Sequence, residues 1–294
     1  MKRIAAMLLS VLLFLLCGCS PVQSSAQIAA TTLPVYEFTR AICQGTSLTV
    51  TRLVTESVSC LHDYSLNVRQ VRDAEAAEVL VISGAGLEAF MEDLLEGRDV
   101  IDASQGIPLI TPETHSHHDH EAEEHGHTHE EDPHIWLDPA NARIMAENIC
   151  LQLSLRYPDY SQQFAENLSA LTVRLEELES YGQENLKDLS CRELITFHDG
   201  FTYFAQAFDL EILEAVEEES GSEASARELI HLIEEVEHHS LPAIFTEANG
   251  STSAASIIAR ETGASCYCLD MAMAGESYFD AMYHNIHTVK EALQ

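Results

Sequence analysis

Four side chains, far apart along the chain, are suited to hold one borderline divalent cation. They are His62 in Leu61-His-Asp-Tyr64, His134 in Asp132-Pro-His-Ile-Trp-Leu-Asp-Pro139, His198 in Phe197-His-Asp-Gly200, and Asp270 in Leu269-Asp-Met271. Three imidazoles and one carboxylate form a donor set that Zn²⁺ takes at about 2.0–2.2 Å, usually four donors in a tetrahedron. Imidazole selects against Ca²⁺ and Mg²⁺, which take shells of oxygen. Histidine titrates near pH 6.5, so at neutral pH little deprotonation is needed before it binds a metal. Glu247 also sits at the end of an apolar run and is placed to orient a ligand imidazole.

A second group of donors is continuous in sequence. Residues 113–132 hold seven histidines (His115, His117, His118, His120, His125, His127 and His129) and eight acids. Such a segment cannot bury a core, and it reads as a disordered loop. Its imidazoles and carboxylates make several weak, interchangeable sites directly before His134, an auxiliary means of metal capture.

The elements that must position the four donors follow a β-α rhythm. Strands are expected at Ile28–Thr32, Ser47–Val54, Glu78–Ser83 and Val100–Ala103, with helices after Pro34, over Val68–Ala77 and within Gly84–Glu96. Past the histidine tract the pattern turns helical, over Ala140–Arg156 and then Tyr160–Asp188, whose Phe164, Leu168, Leu171, Leu175, Leu178 and Leu186 recur at helical spacing. The rhythm resumes with strands at Leu194–Phe197, Glu211–Val216, Ala243–Glu247 and Ser265–Leu269, and helices at Gly200–Phe208, Ala224–His238, Ser251–Thr262 and Tyr278–Ala292. The fold class is therefore α/β, two parallel-sheet lobes flanking a long helix. Each of the four donors falls just past a strand or in the loop after it, the edge of an open α/β sheet where ligands bind. Two come from each half, so they would meet in the crevice between the lobes.

The beginning of the chain reads as a targeting segment. Lys2 and Arg3 precede an apolar run from Ile4 to Leu16 that is too short to span a bilayer comfortably. Leu16-Cys17-Gly18-Cys19 then resembles a bacterial lipobox, which would make Cys19 the acylated mature N-terminus. The expected organisation is a signal peptide over residues 1–18 and a tether over 19–26. An N-terminal lobe over 27–158 carries the His-rich loop, a linking helix covers 159–189, and a C-terminal lobe covers 190–294. About 275 residues remain after the leader, enough for two lobes. The net charge of −33 excludes nucleic acid as a partner and favours cations. Six cysteines remain after Cys17 and Cys19; outside the cytoplasm an even number favours disulfides, but the sequence does not select a pairing.

Longer stretches carry a resemblance. Asp132–Pro139 (DPHIWLDP), Phe197–Leu210 (FHDGFTYFAQAFDL), His62–Glu92, Phe245–Ala264 and Leu269–Ile286 are similar to segments of the ZnuA/TroA-like, cluster A-I metal-binding lipoproteins of bacterial ABC importers, over about Ile28 to Leu293. The resemblance implies two α/β lobes joined by a rigid helix and a metal held between them. It implies delivery to a membrane permease driven by a cytoplasmic ATPase, from a lipid-anchored monomer on the extracytoplasmic face. By position, His62, His134 and His198 match the family's first three ligands and Asp270 the acidic fourth, where water can substitute. Manganese-type members commonly place Glu third; His198 there favours Zn²⁺, with Mn²⁺ the alternative cargo. Asn67-Val68-Arg69-Gln70 departs from the Pro, Ser and Asp of many members but leaves His62 in place. No enzymatic activity is expected. The rival reading, a zinc hydrolase, finds no HExxH segment and explains neither the lipobox nor the histidine tract.

Overall fold

The structure is a computed structural model that describes residues 26–56, 61, 64–111, 131–216, 225–248 and 252–294. His62, the His115–His129 tract and Cys19 lie outside these described residues.

Each half of the chain builds one four-stranded, all-parallel sheet. The first holds β1 (Ile28–Ala30), β2 (Val50–Arg52), β3 (Val79–Ile82) and β4 (Val100–Asp102) in the order β2-β1-β3-β4. The second holds β5 (Glu193–Thr196), β6 (Glu211–Ala215), β7 (Ala243–Glu247) and β8 (Ser265–Leu269) in the order β6-β5-β7-β8. The two orders are the same pattern used twice. The chain leaves the first strand of each sheet to one side and later returns to its other side. That reversal opens a crevice at the carboxyl end of β1 and of β5. β1 and β3 are buried along their whole length, as their unbroken apolar runs require of strands covered on both faces. β2 is shorter than the expected Ser47–Val54: Thr46 and Ser47 fall in a turn, and Thr49 pairs with the Gln27 side chain.

The covering helices are α1 (Leu33–Ile42), α2 (Val68–Ala76), the short α3 (Glu92–Leu95), α4 (Pro139–Arg156), α5 (Ser161–Leu186), α6 (Thr202–Ala207), α7 (Ala226–His239), α8 (Ser253–Thr262) and α9 (Tyr278–Leu293). Their starts are written locally. Asn67 and Ser225 each form a capping box, with Gln70 and Glu228 respectively. Asp138 caps α4, with Pro139 at its first position.

α5 is 26 residues long, or about 39 Å. Its apolar stripe (Phe164, Leu171, Leu175, Leu178 and Leu186) lies in one core with Phe38, Ile42 and Trp136 of the first half and Phe204, Phe208 and Val289 of the second. Gly182 has a packing reason: a Cβ there would run into the Phe208 ring. The two sheets therefore share a continuous core across the brace, whereas separate domains would each close their own. Among the described residues, Cys43, Cys150, Cys191, Cys266 and Cys268 form no disulfide.

Candidate metal centre

His134 and His198 are brought together from the two halves, with their Nε2 atoms 3.5 Å apart. That distance is long for a nitrogen–nitrogen hydrogen bond. It matches two nitrogens sharing one tetrahedral Zn²⁺: at about 2.0–2.1 Å each, they stand about 3.3–3.4 Å from one another.

The remaining nitrogen of each ring faces a carboxylate. His134 follows Asp132 and Pro133 and enters a single 3-10 turn, Ile135–Leu137. Asp132 Oδ1 accepts both the His134 backbone N–H, at 2.9 Å, and Nδ1–H, at 2.8 Å. A carboxylate only accepts, so Nδ1 carries the proton and Nε2 presents its lone pair to the crevice. Both side chains are 2% exposed, which removes water as a competitor for these bonds. His198 follows β5, at the crevice of the second sheet, and its Nδ1 stands 3.6 Å from Glu247 Oε2 at the end of β7.

Gly200 makes the approach of the two rings possible. A Cβ at this position would lie 2.6 Å from Met271 Cε, 2.8 Å from His198 Cδ2 and 3.0 Å from His134 Cε1. Only a bare backbone fits among them, and the same contacts set Met271 against the histidine pair. Asp270 precedes Met271 directly. Its Oδ1 accepts the Ala272 N–H at 2.8 Å, and its backbone is held by Asn285. No group of three or more His, Cys, Asp or Glu side chains among the described residues gathers tightly enough to hold an ion. Within those residues the two imidazoles face one another, and Asp270 directly precedes the Met271 that packs near Gly200. His62 falls outside them, but its flanks are anchored: Leu61 is buried, and Tyr64 O–H donates to Glu56 at 2.8 Å.

Contacts across the crevice fix the His134 segment from the opposite half. Trp136 Nε1–H donates to Met271 O, and Tyr278 O–H donates to Trp136 O, both at 2.8 Å. Tyr203 O–H donates to Asp132 O at 3.1 Å and accepts the Ile110 N–H at 3.0 Å. Burial pushes the Tyr203 and Tyr278 hydroxyls up, so both remain protonated donors. Sequence reasoning missed Asp132, Gly200 and Tyr203. A signal for Asp132 was present, because an acid two residues before a histidine can reach both its backbone and its ring nitrogen, as it does here. Nothing local marks Tyr203, whose partners lie 71 and 93 residues away.

Another buried acid stands at the carboxyl edge of the first sheet. Glu88 accepts from Thr31 Oγ1 at 2.6 Å, Ser83 N at 2.8 Å and Gly84 N at 3.0 Å. Burial outweighs these donors and pushes its carboxyl up to about 7.

The family model of the zinc-uptake complex component A, periplasmic, matches residues 28–292. The zinc-binding lipoprotein AdcA of Streptococcus pneumoniae (strain ATCC BAA-255 / R6) is 28% identical over 307 residues, with 99% of this chain and 61% of that protein covered. This chain therefore spans about three-fifths of the length of that relative. A putative metal-binding protein of Treponema pallidum (strain Nichols) is 28% identical over 257 residues, covering 84% of this chain and 81% of its own length. Among solved structures, the crystal structure of ZnuA superposes with a TM-score of 0.78 at 28% identity, over 92% of this chain and 100% of that one.

Proposed function

We propose a function from one premise: this chain belongs to the family of the periplasmic zinc-uptake complex component A, whose model it matches over residues 28–292. It is the solute-binding component of an ABC importer. It captures Zn²⁺ in the crevice between its lobes through His62, His134, His198 and Asp270, and hands the ion to a membrane permease driven by an ATPase. The ion is cargo, and the site needs no catalytic base. Residues 1–18 act as a lipoprotein signal and Cys19 carries the lipid anchor on the extracytoplasmic face. Residues 27–158 and 190–294 form the lobes on either side of the 159–189 helix. The seven histidines from His115 to His129 raise the local metal concentration. Among the described residues no helix is long and apolar enough to cross a membrane.

The observation that carries this reading is the Nε2 pair at 3.5 Å, with a carboxylate behind each ring. Two imidazoles aimed at each other from opposite lobes, each backed by an acid, suit a Lewis-acid cation between them. The donor set favours Zn²⁺ over Mn²⁺, which prefers oxygen-rich octahedral shells. Metal content and Zn²⁺/Mn²⁺ competition on the mature protein test the assignment. One tight zinc equivalent that Mn²⁺ does not displace is expected; a preference for Mn²⁺ would overturn the cargo. Capture is proposed to involve small movements, because α5 and the bonds across the crevice brace both halves. Small-angle scattering with and without Zn²⁺ should show nearly the same radius of gyration.

A further inference from the structure

We propose that Asn285 is a positioning residue for the cation site, acting through Asp270; this rests on Asp270 being a ligand. Asn285 lies on α9 and is completely buried. Its Oδ1 accepts the Asp270 N–H at 2.8 Å and its Nδ2–H donates to the Asp270 C=O at 2.7 Å. One side-chain amide thereby engages both backbone groups of one residue, as a neighbouring strand would. The β7–β8 ladder ends at Glu247 opposite Leu269, one residue too early to hold Asp270. Asn285 supplies the missing partner from the helix and fixes the backbone at 270.

The segment after Asp270 is built to keep that orientation. Asp270 Oδ1 accepts the Ala272 N–H at 2.8 Å. Ala272 has φ +52° and is fully buried, a left-handed conformation that is strained for a non-glycine residue and persists only where the surroundings impose it. Around it the first half of the chain grips alternate carbonyls: Trp136 Nε1–H holds Met271 O, Leu33 N–H holds Met273 O at 3.0 Å, and Arg52 Nη1–H holds Gly275 O at 2.8 Å. Residues 271–275 thus belong to the crevice wall of the opposite lobe, while Asn285 ties Asp270 to its own lobe. The bond from Ala272 N–H to Oδ1 restricts the rotation of the carboxylate. A donor held in place before the ion arrives loses little freedom on binding, and this contribution of Asn285 to affinity exists only while the carboxylate is there.

A double-mutant cycle tests the proposal: Zn²⁺ affinity by chelator competition on the mature protein for wild type, Asn285→Ala, Asp270→Ala and the double variant, with thermal melting alongside. Asn285→Ala should bind Zn²⁺ about 10-fold or more weakly, the usual effect of removing a group that orients a ligand. The double variant should bind no more weakly than Asp270→Ala. Additive losses would show that Asn285 serves the fold and not the carboxylate, and an Asn285→Ala protein with wild-type affinity would also overturn the inference. Unchanged affinity in Asp270→Ala would instead remove Asp270 from the ligand set, and the proposal with it. Asn285→Ser runs the same cycle should the alanine variant not fold.

Discussion

His134 and His198 reach facing positions, with their Nε2 atoms 3.5 Å apart, by different routes. His134 is aimed by its own neighbourhood: the acid two residues before it binds both its backbone and its ring, inside a turn that is almost wholly buried. His198 is aimed by topology. It follows the strand at which the second sheet reverses its order, and the acid facing its ring ends β7, the neighbouring strand in the sheet, 49 residues later and at a looser 3.6 Å. The local mount depends on one side chain; the topological mount depends on a sheet and on the bare backbone of Gly200.

Removing either ring should have the largest effect and should erase the distinction between the mounts. A four-ligand zinc site is worth roughly 10–16 kcal/mol, so one ligand is worth about 2.5–4 kcal/mol, or two to three orders of magnitude in affinity. Isothermal titration of His134→Ala and His198→Ala should show losses of that size in both; an intact tight site in either would remove that residue from the centre. Gly200→Ala comes next. Overpacking at a fitted position costs about 1–3 kcal/mol, and here the added methyl reaches both rings and Met271. Zinc affinity should fall about 10- to 100-fold, with the fold retained by circular dichroism. Unchanged affinity would mean that the rings need not approach as closely as they do here.

The contrast between the mounts sharpens on the two acids. Asp132→Asn replaces the charged acceptor of two bonds, both shorter than 3 Å, by a neutral amide. Glu247→Gln loosens one contact at 3.6 Å. Groups that orient a ligand imidazole are worth about 10- to 100-fold in metal affinity. Asp132→Asn should fall inside that range and Glu247→Gln at or below its lower end. The reverse order would show that the sheet-mounted ring depends more on its acid than the turn-mounted one.

The same division separates what is legible in the sequence from what is not. Strand and helix positions rest on short-range periodicity, and most agree with the structure to within a few residues; Tyr160 ends a 3-10 turn, and α5 begins at Ser161. His198 can be placed at a strand end because a strand, a histidine and a glycine follow one another in sequence. The pattern over Gly84–Glu96 suggests loop and helix, and the chain there forms a 3-10 segment at Leu87–Met91 followed by the four-residue α3. The left-handed Gly86 at the start of that segment carries the chain into it. The long-range contacts escape. The grip on Met271, Met273 and Gly275, the Asn285 clamp and the burial of Glu88 all join residues whose proximity emerges only once both sheets are assembled. Polar groups with distant partners leave no periodic trace.

Glu88 supplies the smallest test, because it marks how the two sheet edges differ. The second sheet's edge acid, Glu247, faces an imidazole; the partners of Glu88 among the described residues are a hydroxyl and two backbone N–H donors. These donors do not offset burial, and its carboxyl is pushed from 4.5 up to about 7. The folded state therefore binds more protons than the unfolded state between those limits, and stability from this group falls as pH rises through them. The contribution is fully present below about pH 4.5 and lost by about pH 7, on the order of 3 kcal/mol in all at 1.36 kcal/mol per unit. Glu88→Gln, neutral at every pH, is the reference. Denaturant unfolding of the metal-free protein from pH 5 to 8 should show wild type losing stability relative to that variant, steeply up to about pH 7 and flat above it. A constant difference across the range would mean that the carboxyl keeps its ordinary pKa, and that its three donors offset burial as well as an imidazole would.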